Sequence, residues 1–127
     1  MKEQERIYTQ HSENMEWNNT LKFYKEELDV LKTRLSEIAS KNNNQEVLKE
    51  VEHFQNQFII QRNNIDRISH EVKMNEEKLI TEIKNNPTAV DHRKVEYHAK
   101  EKDLVSGFEK NMNEIRNDFK RFASKWM

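Results

Sequence analysis

The chain has 127 residues, 35% of them charged and 34% hydrophobic, with one Gly, one Pro and no Cys. A sandwich or barrel needs turn chemistry about every 8–12 residues, which one Gly and one Pro cannot supply, and without Cys there is neither a disulfide framework nor a thiolate metal site. Lys and Arg total 22 against 23 Asp and Glu, a formal net charge of −1. The positive excess that releases counterions from a phosphate backbone is therefore missing, and no nucleic-acid partner is expected.

What remains is an all-α fold, read as one domain over residues 12–127 behind a polar segment, residues 1–11. That segment, MKEQERIYTQH, lacks the apolar stretch of a secretory signal. Ile7 and Tyr8 would prolong a following helix only by putting Gln10 and Asn14 on its apolar seam, so fraying is expected there.

The first helix is predicted over about residues 12–40. Trp17, Leu21, Tyr24, Leu28, Leu31, Leu35 and Ile38 recur at alternating steps of four and three, the spacing of a coiled-coil seam. Ser12 reads as its N-cap, with Glu13 and Glu16 at the positive end of the helix dipole. Lys41-Asn42-Asn43-Asn44 ends it, because Asn tolerates the left-handed conformation and bonds its own backbone.

Asn43 or Asn44 then caps a middle helix over about 44–85, with Glu46 placed for a capping box. Its seam runs Val47, Val51, Phe54, Phe58, Gln61, Ile65, Ile68, Val72, Asn75 and Leu79 to Ile83, with Gln61 and Asn75 as polar interruptions. Pro87 and Thr88 restart the chain in a third helix, about 88–126, with Asp91 completing a Thr-x-x-Asp box. The third seam is Leu104, Phe108, Met112 (or Asn111), Ile115, Phe119, Phe122 and Trp126. Its earlier positions, Val90, Lys94, Tyr97 or His98, and Glu101, are weak.

Short connections make successive helices antiparallel neighbours, giving an elongated antiparallel three-helix bundle. With turns centred near residues 42 and 87, facing residue numbers add to about 85 on the first pair and about 174 on the second. Trp17 then lies level with Ile68 and with Ser106-Gly107. One reading is that Gly107 leaves room for the indole; the other is that it marks a kink or a tolerated surface site. In outline, with three helices, a long middle one and Trp17 on the first, the arrangement resembles spectrin-type three-helix bundles. The likeness is architectural and implies a fold without an activity.

The same register gathers apolar seam residues at the 41–44 loop and polar ones at the 85–88 turn. His11, Glu71, Asn75, His98 and Glu101 meet at that second end. Imidazoles and carboxylates on facing helices are how bundle metal sites are built, so His11, Glu71, His98 and Glu101 are the candidate metal ligands. A hydrated bundle end explains the same residues.

Other chemistries are incomplete. His70-Glu71 lacks the second His of a zinc-protease helix, since position 74 is Met,. Only Glu50-Val51-Glu52-His53 has the spacing of a di-iron motif, and Val51 on the seam makes Glu50 and His53 flanking surface. No phosphate loop or nucleophile elbow forms with one Gly, so no catalytic residue and no cofactor is assigned and an enzyme is not expected.

Lys120, Arg121 and Lys125 make the last segment a basic amphipathic helix that suits an anionic membrane surface or an acidic partner. Equally, Phe119, Phe122 and Trp126 continue the core seam while the cations complement the helix dipole. Asn63, Asn64, Asn111, Asn113 and Asn117 sit mid-helix, as polar surface or as amides fixing an oligomer interface. The longest aliphatic or aromatic run, Phe58-Ile59-Ile60, is far short of the roughly 20 residues of a membrane span. The expected function is a cytoplasmic, non-enzymatic interaction or scaffold protein that self-associates as a homo-oligomer and binds protein partners through charged helical faces. The alternatives are a His/Glu metal-binding bundle and a peripheral membrane binder.

Overall fold

The computed structural model describes the backbone of residues 2–85 and 91–126 and the side chains of residues 9–81, 84 and 99–126. Three helices, α1 (Lys2–Lys41), α2 (Gln45–Asn85) and α3 (Asp91–Trp126), form an all-α bundle with no strand among the described residues. The expected turn residues Pro87 and Thr88, and the side chains of Val90, Asp91, Lys94, Tyr97 and His98, lie outside the described residues.

The seams are the core. On α1, Leu21, Tyr24, Leu28, Leu31, Leu35 and Ile38 are buried, with Trp17 packed against them; on α2 every seam residue from Val47 to Leu79 is buried, Gln61 and Asn75 included. On α3 the buried line is Glu101, Val105, Phe108, Met112, Ile115, Phe119 and Phe122. Leu104 is only half-buried. The strict four-three step runs from Glu101 to Val105 to Phe108, so Val105 takes the place expected for Leu104.

Cross-helix pairs fix the layers. Asn75 donates to Asn14, the rings of Tyr24 and Phe108 meet edge to face at 5.5 Å, and Phe54 meets Phe119 likewise at 5.4 Å. Asn42 reaches the Trp126 carbonyl at 3.3 Å. Stepping from these pairs puts Trp17, Val72 and Glu101 in one layer and Leu28, Gln61 and Met112 in another. The α2–α3 register is the expected one. On α1–α2, Asn14 with Asn75 and Asp29 with Arg62 lie about one helical turn beyond the expected register.

The first connection is residues 42–44. The side-chain amide of Asn42, just past the end of α1, donates to the Ile38 carbonyl at 2.8 Å as well as to Trp126, closing the carboxy ends of two helices with one group. Asn44 is the cap of α2: its Oδ1 accepts from the Glu46 amide at 2.9 Å, and its carbonyl accepts the first helical bond, from Leu48,. No described residue has a positive φ. The Asn side chains, not a left-handed backbone, make this turn.

Two further expectations are corrected. The helix does not start at Ser12; α1 begins at Lys2, and Gln10 and Asn14 are buried seam residues. Gly107 makes no room for Trp17: it is exposed, and a Cβ there would meet nothing within 4 Å. The one-turn shift carries Trp17 past it to the Glu101 layer, leaving Gly107 as a tolerated surface site.

At the loop end Phe54, Phe58, Phe119 and Phe122 form one aromatic cluster, with Phe54 and Phe122 centroids 5.1 Å apart and Phe58 and Phe119 centroids 5.7 Å apart. Offset and edge-to-face pairs of this kind add about 0.5–1.5 kcal/mol each beyond the area they bury. Midway along the bundle, Arg116 clamps α3 to α1, its Nη2 donating to Glu27 Oε1 at 2.6 Å and its Nε to the same oxygen at 3.0 Å. The hydrogen bonds it donates to Glu27 hold the guanidinium pKa above its ordinary value.

Candidate functional site

The polar end of the bundle is built by continuing the α1 seam backwards. Steps of three and four from Trp17 land on Asn14 and Gln10, so the helix period itself delivers two amides to the core. Asn14 is 1% exposed and Asn75, opposite it on α2, is 0% exposed. Most buried amides are hydrogen-bonded, and Asn14 uses both ends: Nδ2 donates to Glu76 Oε2 at 2.8 Å, while Oδ1 accepts from Asn75 at 3.4 Å.

Glu76 is the hub. Its other oxygen pairs with His11 Nδ1, so a single α2 carboxylate fixes two α1 side chains one turn apart. Nothing in the sequence reading singled out Glu76. The available signal was its place next to Asn75, at the edge of a polar seam position, where a side chain can curl over the layer.

Glu101 is different. It is 0% exposed, and neither carboxylate oxygen has a hydrogen-bond partner among the described residues. Burial pushes its pKa up, the neighbouring Glu71 pushes it further, and Lys100 opposes them. A carboxyl so placed favours its neutral form, because an ion there would be desolvated without a partner.

The four candidate metal ligands are thus divided. His11 is engaged with Glu76, Glu71 and Glu101 are electrostatic neighbours, and the His98 side chain lies outside the described residues. Among the described residues no three His, Asp or Glu side chains gather in a way that could hold a metal ion. Polar groups do gather towards one end of the bundle, and those buried most deeply are Asn14, Asn75, Glu101 and Gln10.

The other flagged segments are surface or core. His70 and Met74 are exposed, and Val51 is buried between exposed Glu50, Glu52 and His53. Phe119 and Phe122 are buried and so are not free to enter a bilayer. Lys125 stands 5.3 Å from the Trp126 ring centroid, while Arg121 pairs with Asp118. Asn63, Asn111, Asn113 and Asn117 are exposed and Asn64 half-buried. Among the described residues no helix is long and apolar enough to cross a membrane. Compared with known protein families, curated proteins and solved structures, the chain matches none, so its likeness to spectrin-type bundles rests on outline alone.

Proposed function

We propose that this chain is a non-enzymatic helical interaction protein that acts in the cytoplasm by associating with copies of itself and with protein partners. The observation that carries the reading is on the outside of the bundle. With the seams already buried, Met15, Phe23, Val30, Leu48, Ile59, Ile60, Met74 and Ile80 remain 38–59% exposed. Adjacent exposed apolar side chains, here Ile59 and Ile60, rather than single scattered ones, are what point to contact surface, and elongated bundles commonly bury such surface against a copy of themselves.

Size-exclusion chromatography with light scattering, run over a range of concentrations, tests the self-association. A mass above that of one chain supports it; one 15.5 kDa species at every concentration removes it.

The alternative reading, a metal-binding bundle, is favoured by the unpartnered Glu101 carboxylate beside Glu71. Under that reading the purified protein carries a divalent ion, lost in His98→Ala. A metal-free protein showing no thermal shift with divalent ions ends it.

A further inference from the structure

The outward face of α2 carries a pattern that the core does not use. From His53 to Gln61 the chain has no Asp, Glu, Lys or Arg, and at the centre of this stretch Ile59 and Ile60 are 59% and 55% exposed. Helix geometry sorts the outer residues into rows four apart. One row is Glu52, Asn56 and Ile60; the next is Ile59, Asn63 and Arg67. All six side chains are exposed.

Read in opposite directions, the two rows are complementary: Glu, Asn, Ile against Arg, Asn, Ile. A two-fold axis between residues 59 and 60 would lay each row of one molecule along the other row of a second. Glu52 then faces Arg67 of the second copy, Asn56 faces Asn63, and Ile60 faces Ile59.

We infer that this stripe of α2 is an isologous, antiparallel self-association surface whose occupant is a second copy of this chain. The inference rests on the self-associating reading given above and specifies where the contact lies. Isologous contacts demand self-complementarity about a two-fold, and here an apolar pair, an amide pair and an ion pair satisfy it together. Glu52 and Arg67 are also available: neither makes an ion pair with a described residue, whereas nearby Arg62 is engaged by Asp29 at 3.0 Å and Asp66 by Lys25 at 3.4 Å. The face points away from the seam that packs on α1 and α3, so a second bundle can approach it unobstructed. The stripe is narrow, and the association expected is weak, with Kd on the order of 10–100 µM.

Sedimentation equilibrium of the full chain up to about 1 mM, at low salt, tests this on three variants whose fold is checked by circular dichroism. Glu52→Arg sets Arg against Arg67 twice per dimer and should raise Kd about tenfold or more. The double variant Glu52→Arg with Arg67→Glu restores opposite charges and should return Kd to within about threefold of the parent. Ile60→Asp, which removes the central apolar pair, should leave monomer throughout. Association that ignores both Glu52→Arg and Ile60→Asp overturns the α2 surface while self-association itself stands. A double variant no better than Glu52→Arg overturns the pairing, and a parent chain that stays monomeric to about 1 mM overturns surface and self-association together.

Discussion

The two ends of the bundle solve the same packing problem with opposite materials. At the 42–44 loop, Phe54, Phe58, Phe119 and Phe122 interlock and Asn42 ties two helix ends together. Towards the other end the same seam positions hold Gln10, Asn14, Asn75 and Glu101. Both ends obey one helical period; what differs is how tightly each layer constrains its neighbours. Apolar layers supply free energy through burial with little directional demand, whereas the Asn14–Asn75–Glu76 network contributes modest net energy and fixes which residues may face one another. A bundle made this way is anchored at one end and specified at the other.

The largest effect that tests this contrast is expected at the anchored end. Phe119→Ala removes the ring shared by Phe54, Phe58 and Phe122 and should cost about 3–5 kcal/mol, read as a shift in the urea midpoint at unchanged slope. A loss below about 1 kcal/mol would mean that the aromatic cluster is not the anchor.

At the polar end the sign should reverse. Glu101→Met exchanges an unpartnered buried carboxyl for an apolar side chain of similar length, and at pH 7 it should stabilise the fold by about 1–3 kcal/mol. The pH dependence follows from the direction of the shift. Glu101 is raised above its ordinary 4.5, so between that value and its folded-state value the native protein holds a proton that the unfolded chain has released. Stability from this group is complete below 4.5 and falls as pH rises towards the folded value. Subtracting the Glu101→Met curve from the parent isolates this decline; parallel curves would show that folding leaves the titration of Glu101 unchanged.

Gly107→Ala supplies the baseline for both ends. With open space around the position, it changes helix propensity alone and should stabilise by about 0.5–1 kcal/mol. A destabilised Gly107→Ala variant would mean that the Trp17 indole does need the gap.

Most of the fold was legible because a four-three apolar period survives any small error in register. The turns were harder. Asn42-Asn43-Asn44 announces a break, but the α1–α2 register, a turn from the expected one, is fixed by pairs distant in sequence, such as Asn14 with Asn75 and Asp29 with Arg62. The amino-terminal boundary was misread for a related reason: Gln10 and Asn14 look unfit for a seam until Asn75 and Glu76 supply partners. At the candidate site the sequence located the polar end and Glu101 on its seam. It could not reveal that Glu101 lacks a donor or that Glu76 serves two residues, since both depend on side-chain geometry across helices.

The number of helices has a consequence of its own. Three antiparallel helices, unlike two or four, send the chain in at one end of the bundle and out at the other. Lys2 begins α1 far from the 42–44 loop, and Trp126 finishes α3 beside it, so these two residues stand about 60 Å apart, the length of α1 at 1.5 Å per residue,. Fluorophores placed at these two residues would read that separation directly, and a distance well short of one helix length would mean that the bundle bends or opens.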